Sequence, residues 1–103
     1  MKPAAPLLEL EFEATIIEWR GPAPFFYAPL PPAAAEAVRT LAKRVSYGWG
    51  VIPVEARLGA VTFTTSLFPR ENTYLVPLKQ SVRRPAGVTV GDTVSVRLVL
   101  RPA

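Results

Sequence analysis

Three basic side chains and one tyrosine near the end of the chain are its best candidates for ligand recognition: Tyr74, Lys79, Arg83 and Arg84. The planar guanidinium fork of arginine suits phosphate or carboxylate, and a nearby aromatic ring can stack on a base or a sugar. These residue types predict a site for an anionic or polar partner. The alternative is that Arg83 anchors its loop by bonding main-chain carbonyls, while Lys79 and Arg84 are solvated.

A second set of candidate residues is aromatic and flanks the predicted strand ends: Trp19, Tyr27, Trp49 and Phe68. Aromatic side chains in loops can mark a binding surface, because they contribute most of the energy of many interfaces. They can equally cap a small barrel whose core is too thin to close itself. Both interpretations stay open at this point.

The sequence offers little for catalysis or for metal binding. It contains no cysteine and no histidine, which excludes disulfides, histidine-dependent triads and metal sites built on these residues. A nucleophile among the hydroxyl-rich residues would need Lys79 or a carboxylate as its base, and no spacing supports this; these residues are Thr62, Thr64, Thr65 and Ser66. Glu55 and Glu71 are a weak candidate carboxylate pair. We therefore predict a protein that is not an enzyme, with no cofactor and no metal.

The length and composition indicate one folded domain. A chain of 103 residues can bury one core but not two, and a hydrophobic content of 50% excludes disorder. We place the domain at residues 8–101, with frayed termini at 1–7 and 102–103. The start of the chain does not resemble a signal peptide, and no uncharged run approaches the roughly 18 residues of a membrane span. Together with the absence of cysteine, these features predict a cytoplasmic protein that does not enter a membrane.

Alternation of apolar and polar residues predicts a β-rich fold. It is clearest near the end, where the Gly91-Asp92 turn leads into a strand with Val94, Val96, Leu98 and Leu100 on one face. Asp92 is expected to stabilise that turn by bonding backbone amides. The remaining strands are predicted at 8–18, 25–28, 51–58, 61–67 and 74–79, with a hairpin turn at Gly59-Ala60 and a loop at 68–73. Pro77 within a strand indicates an edge or bulge position.

One convincing amphipathic helix is predicted at 33–45, following Pro32, with a short helical turn near 81–86. The fold class is therefore all-β: a barrel of six or seven strands with this helix packed over an opening.

The net charge of +4 is unevenly distributed, with an acidic first strand and a basic last strand. If these two strands pair antiparallel, Glu9, Glu11 and Glu13 face Arg97 and Arg101. Each such pair would contribute about 0.2–1 kcal/mol. This hypothesis explains the uneven charge without any ligand.

Six stretches stand out by their order and spacing: Phe12-Glu13-Ala14-Thr15, Phe26-Tyr27-Ala28-Pro29-Leu30-Pro31, Val54-Glu55-Ala56-Arg57-Leu58-Gly59, Thr65-Ser66-Leu67-Phe68-Pro69, Tyr74-Leu75-Val76-Pro77-Leu78-Lys79, and Val82 to Asp92. Taken together, from about residue 8 to residue 101, they resemble an uncharacterised bacterial family known only as a domain of unknown function. Its members occur alone or fused to a bacteriocin-protection domain of the YdeI/OmpD-associated type.

This resemblance implies a fold rather than an activity. The family is similar to the double-split β-barrel of AbrB-like and MazE-like DNA-binding proteins, in which two short chains interlock. Here one longer chain would supply the whole barrel, which implies a monomer. No catalytic residues are established for the family, so none can be carried over.

One loop departs from the family pattern. Members usually have a glycine-rich loop between Pro69 and Tyr74, where this chain has Arg70-Glu71-Asn72-Thr73. Without glycine the backbone adopts positive φ less freely and approaches a ligand less closely, although Asn72 could partly substitute. This argues against phosphate binding by the loop.

The function remains unknown from the sequence, and the best prediction is a non-catalytic binding module. Its unknown partner would be an anionic ligand or a protein that contacts Tyr74, Lys79, Arg83 and Arg84. Nucleic-acid binding, by analogy of fold with AbrB-like barrels, is the alternative and is not favoured, because acidic residues dilute the basic ones along the chain.

Overall fold

The computed structural model describes residues 5–19, 25–45 and 52–101, with side chains up to residue 42 in the first helix. Within these residues, seven antiparallel strands form one sheet that curls into a half-barrel, and two short helices accompany it. The elements are β1 (Leu8–Thr15), β2 (Ile17–Trp19), β3 (Phe25–Pro29), α1 (Pro32–Val45), β4 (Ile52–Leu58), β5 (Val61–Arg70), β6 (Thr73–Pro77), α2 (Gln80–Ala86) and β7 (Thr93–Leu100). The predicted all-β class is confirmed.

The two edge strands of this sheet are consecutive in sequence. The strand order is β1-β7-β4-β5-β6-β3-β2, so the chain crosses from one edge to the other at Ile16. Ile16 is buried, its N–H donates to the carbonyl of Asp92, and its own carbonyl accepts the N–H of Gly91. The prediction of one unbroken strand over 8–18 was therefore wrong. The alternation runs unbroken through the crossing because Phe12, Ala14 and Ile16 all face the core.

The core lies on the concave side of the sheet. Its largest fully buried side chains come from strands on both halves of the sheet, from the crossing between β1 and β2, and from α1: Ile16, Ile52, Leu67, Leu98, Leu100, Val38, Val76 and Val96. The alternation predicted for the last strand is confirmed, since Val94, Val96, Leu98 and Leu100 are all buried. Burial of apolar surface at about 25 cal/mol per Å² makes this face the main source of stability.

The first and last strands pair antiparallel, as predicted, with Glu11 opposite Arg97. The ion pair itself is diagonal, from Arg97 Nη2 to Glu9 Oε1 at 3.2 Å. Arg101, which was expected to face the glutamates of the first strand, forms an ion pair with Glu55 of β4 through Nε at 2.8 Å. The difference follows from the strand order, because β7 lies between β1 and β4 and can reach either one.

The region predicted as a loop at 68–73 is mostly strand. β5 continues to Arg70, and only Glu71 and Asn72 connect it to β6. Glu71 has a φ of 52°, so the glutamate rather than Asn72 takes the left-handed conformation. The Nη2 of Arg39 in α1 donates to the carbonyl of Asn72 at 2.6 Å, which ties this turn to the helix.

Both helices were predicted within a residue or so at each end. α1 begins at Pro32 and packs Ala34, Ala35 and Val38 into the core. α2 begins at Gln80 and ends at Ala86, and the φ of 68° at the capping Gly87 allows Val88 N–H to bond back to the carbonyl of Arg83. The Gly91-Asp92 turn forms as expected, with Thr89 N–H donating to Asp92 Oδ2 at 2.9 Å. Neither helix is both long and apolar enough to cross a bilayer.

Candidate functional site

A cleft of about 730 Å³ opens between β5 on one side and the end of β6 and start of α2 on the other. Sites for small molecules commonly enclose about 300–1,000 Å³. Its lining combines aromatic rings, hydroxyls and two cations: Phe25, Phe26, Tyr27, Thr64, Thr65, Ser66, Phe68, Pro77, Leu78, Lys79, Gln80 and Arg83. The cleft is therefore amphipathic, with apolar walls and a basic end.

The cleft exists because β6 parts from β5 at Pro77. The N–H of Leu78 donates to the carbonyl of Phe26, and the N–H of Leu30 donates to the carbonyl of Tyr74. The even-numbered residues of β6 therefore direct their backbone N–H and C=O groups towards β3. The odd-numbered residues of β6 must then direct their backbone N–H and C=O groups towards β5. Pro77 is one of these and has no N–H to donate, and the β5–β6 ladder accordingly ends at the preceding pair, Phe68–Leu75. Pro77 was predicted to mark an edge or a bulge; β6 is instead an interior strand, and Pro77 still pairs with Tyr27 of β3 while its pairing with β5 has ended.

The same register determines which backbone groups of β5 line the opening. Phe68 and Arg70 pair with β6, so even-numbered residues of β5 direct their N–H and C=O groups to that side. Within the described part of the chain, the backbone groups of Thr64 and Ser66 that face this side have no hydrogen-bond partner. A short stretch of open strand edge therefore forms one wall of the cleft.

Arg83 is partly structural. Its Nε donates to the carbonyl of Leu78 at 3.0 Å, and its guanidinium carbon lies 3.7 Å from the centroid of the Phe26 ring. The anchoring role that the sequence left open is therefore present. Both Nη atoms of Arg83 lack a partner among the described residues and remain available at the cleft.

Lys79 is the second cation of the cleft. It is exposed, and its side-chain ammonium forms no hydrogen bond or ion pair with any described residue. No carboxylate occurs in the cleft lining among residues 5–19, 25–45 and 52–101. Two positive charges without a counter-charge make this end of the cleft attractive to an anion.

Arg84 and Tyr74, the other two predicted site residues, do not line the cleft. Arg84 is exposed on α2, and Tyr74 is only 8% exposed and packs in the core. The sequence held a signal for this difference. Tyr74, Val76 and Leu78 share one face of a strand, and Lys79, five residues after Tyr74, falls on the other.

The exposed aromatic residues surround the cleft only in part. Phe25 is 58% exposed and Phe68 45% exposed, and both line the cleft together with Tyr27. Trp19 lies outside it, beneath the guanidinium of Arg70, whose central carbon is 3.3 Å from the ring centroid. Trp49 lies outside the described residues. Phe25 was predicted only as a strand residue; its place beside Trp19 on a short edge hairpin explains its exposure.

The hydroxyls and carboxylates can be placed in the same way. Thr64, Thr65 and Ser66 lie in the same cleft as Lys79, but no hydrogen bond joins a hydroxyl to a base in the part of the chain that the structure describes. Glu55 is ion-paired with Arg101, and Glu71 lies about 23 Å away along β5 at 3.3 Å per residue. Among the described residues no three acidic side chains converge as a metal site would require.

Comparison with known families identifies the chain. The family model described as Domain of unknown function (DUF1905) matches residues 12–98, so the protein belongs to that family. No curated protein matches the sequence. The matched segment includes every residue of the cleft, from Phe25 to Arg83.

Proposed function

We propose that the protein is a non-catalytic binding module, and that its cleft holds an anionic partner which also presents an apolar or planar group. The observation that carries this proposal is the pairing of two cations, Lys79 and Arg83, with exposed Phe25 and Phe68 in one cleft that has no carboxylate among its described lining residues. Charge-assisted hydrogen bonds are about twice as strong as neutral ones, so the cations would orient the ligand.

The absence of a paired nucleophile and base supports a role without chemistry. Catalysis by a hydroxyl needs a base within hydrogen-bond reach of it, and no described residue of the cleft makes such a contact. A broad hydrolase screen tests this directly. Turnover that is lost in the Lys79→Ala variant would contradict the proposal.

The anion-binding role can be tested by NMR titration with four probes: inorganic pyrophosphate, ATP, a glutamate-rich peptide and single-stranded DNA. At least one probe should shift the amides of residues 64–68 and 78–83, more weakly as salt rises, and not in a Lys79→Glu variant. Failure of all four probes at millimolar concentration, or shifts spread over the whole surface, would overturn the proposal.

Nucleic-acid binding is the second candidate, favoured by one observation. Exposed Phe25 and Phe68 line the same cleft as Lys79. Proteins that bind single-stranded nucleic acids combine aromatic stacking surfaces with positive charge in this way. Against it, two cations are few for a polyanion, and β1 presents a row of glutamates. A gel-shift titration with mixed-sequence DNA at low salt distinguishes the two roles.

The finer expectations from the resemblance also belong to this proposal. They are a double-split barrel, a bacterial cytoplasmic setting and a monomer. Support for the first comes from the opening at Pro77, where one half of the sheet parts from the other. Sedimentation at micromolar concentration tests the monomer.

A further inference from the structure

We infer that the partner of this cleft is an extended peptide segment that adds a strand to the open edge of β5 and carries a carboxylate. The inference rests on the proposed function and names the class of partner. Its distinguishing evidence is the backbone of the cleft wall rather than its charge. Strand addition uses main-chain hydrogen bonds for affinity and side-chain pockets for specificity, and this cleft offers both.

The open edge supplies the main-chain component. Thr64 and Ser66 direct their N–H and C=O groups into the cleft, and these have no partner among the described residues. Thr64 and Ser66 are separated by Thr65, whose backbone groups bond to β4. In an antiparallel ladder every second residue bonds the same neighbouring strand, so these two residues can pair with an added strand. A phosphate or nucleotide ligand would leave the carbonyls of this repeat without donors.

The side-chain component follows from the register. Extending the β5–β6 register beyond Phe68–Leu75 places Ser66 opposite Pro77 and Thr64 opposite Lys79. A peptide residue beside Ser66 would enter the cleft that Tyr27 and Phe68 line, and a residue beside Thr64 would take the register position of Lys79, which lines the same cleft. These two peptide positions are two residues apart and therefore on one face of the peptide. The expected pattern is an apolar residue and an acidic residue separated by one residue.

The charge of the cleft commits the partner to an acidic peptide rather than a basic one. Lys79 has no counter-ion among the described residues, and the Nη atoms of Arg83 are free at the same end. A carboxylate on the peptide would neutralise both, whereas a basic peptide would place like charges together. A second copy of this chain suits the site less well, because neither of its edge strands carries an apolar and an acidic residue two positions apart on one face. On β2, Ile17 and Trp19 lie on one face and Glu18 on the other, and the exposed face of β1 carries glutamates without an apolar residue.

The test uses two capped, fluorescein-labelled peptides, Thr-Val-Thr-Phe-Thr-Glu-Thr and its reversed order, because either strand direction is possible. Fluorescence anisotropy with the full chain should show saturable binding of at least one. Replacing the peptide glutamate by glutamine should weaken binding about tenfold or more, which is the effect of one charge-assisted hydrogen bond. Lys79→Ala should have the same effect, whereas Arg84→Ala should change the affinity by less than about twofold.

Backbone methylation separates strand addition from simple charge attraction. N-methylation of the Phe or Glu amide, which would face β5, should weaken binding tenfold or more, and N-methylation of the threonine between them should not. Equal effects at both kinds of position would overturn the inference. One outcome separates the inference from the proposed function: the peptides fail to bind at about 1 mM, while pyrophosphate or DNA binds in a Lys79-dependent way. The inference then falls and the proposed function stands. Failure of every probe overturns both.

Discussion

The β5–β6 ladder ends at Phe68–Leu75, and the next hydrogen-bonded pair of that register would join Ser66 to Pro77, a residue without an N–H to continue the ladder. Pro53 stands in the same relation to Arg101, because the β4–β7 ladder ends at Glu55–Val99, one step before that pair. The second opening is spanned by the Arg101–Glu55 ion pair. At the first, no ion pair between described residues spans the gap, and the cleft remains open.

Mutation of Lys79 should weaken anion binding much more than mutation of Arg84, although both are exposed cations. Lys79 lines the cleft and Arg84 does not. Lys79→Ala should weaken binding of an anionic probe by about 1.5–3 kcal/mol, and Arg84→Ala by less than about 0.5 kcal/mol. Isothermal titration with the probe that binds best measures both. Equal losses would show that only the general positive field matters.

Arg83 should matter for stability, unlike Lys79. Its Nε donates to the carbonyl of Leu78, between β6 and α2, and its guanidinium covers Phe26 of β3, so Arg83→Ala removes both contacts. We expect a loss of about 1–3 kcal/mol in the free energy of unfolding. Arg83→Lys should recover little of it, because an ammonium lacks the planar fork. Urea unfolding provides the measurement, and a Lys79→Ala control should stay within about 0.5 kcal/mol of the parent. An unchanged midpoint for Arg83→Ala would contradict the anchoring role.

Glu71 should be replaceable by glycine with a gain in stability. It has a φ of 52° in the two-residue turn between β5 and β6, a conformation that costs side-chain-bearing residues about 1–2 kcal/mol. Glu71→Gly should raise the free energy of unfolding by about 0.5–1 kcal/mol after the entropy of the unfolded chain is deducted. Glu71→Ala is the matched control and should give no gain, because alanine keeps the strain. A destabilised glycine variant would count against the assigned turn geometry.

Tyr74 should prove to be a core residue rather than a ligand contact. It is 8% exposed, and its hydroxyl has no hydrogen bond to another described residue. Tyr74→Phe should therefore leave both stability and probe affinity nearly unchanged, and Tyr74→Ala should cost about 3–5 kcal/mol of stability. Titration of the phenylalanine variant checks the first half and thermal unfolding the second. Loss of probe binding in Tyr74→Phe would show that the tyrosine hydroxyl contacts the ligand and would contradict this prediction.

The sequence predicted most of the elements because their signals are local. The β7 alternation, the Gly59-Ala60 hairpin, the helix after Pro32 and the Gly91-Asp92 turn all formed as expected. The crossing at Ile16 could not be predicted, since Phe12, Ala14 and Ile16 face the core at every second position, as they would in one continuous strand. The extension of β5 to Arg70 was not predicted because Pro69 suggests a strand end. Pro69 and Tyr74 form a non-hydrogen-bonded pair of the antiparallel ladder, so no N–H is needed at this position.

The candidate site was predicted in its chemistry but not in its outline. Lys79 and Arg83 were chosen for their charge, and both line the cleft. The hydroxyls of β5 read as ordinary strand residues, because nothing local reveals that their neighbouring strand departs. The departure follows from the β5–β6 register, which would bring Pro77 opposite a residue eleven positions earlier, and only the folded chain provides that register.

Hydrogen exchange at the amides of β5, followed by NMR on the free protein, tests the opening of the sheet most directly. The structure predicts alternation: Phe63 and Thr65 N–H bond to β4 and should be strongly protected, whereas Thr64 and Ser66 N–H face the cleft and should exchange rapidly. Protection of Thr64 and Ser66 equal to that of Phe63 and Thr65 would show a closed sheet and would contradict the binding edge.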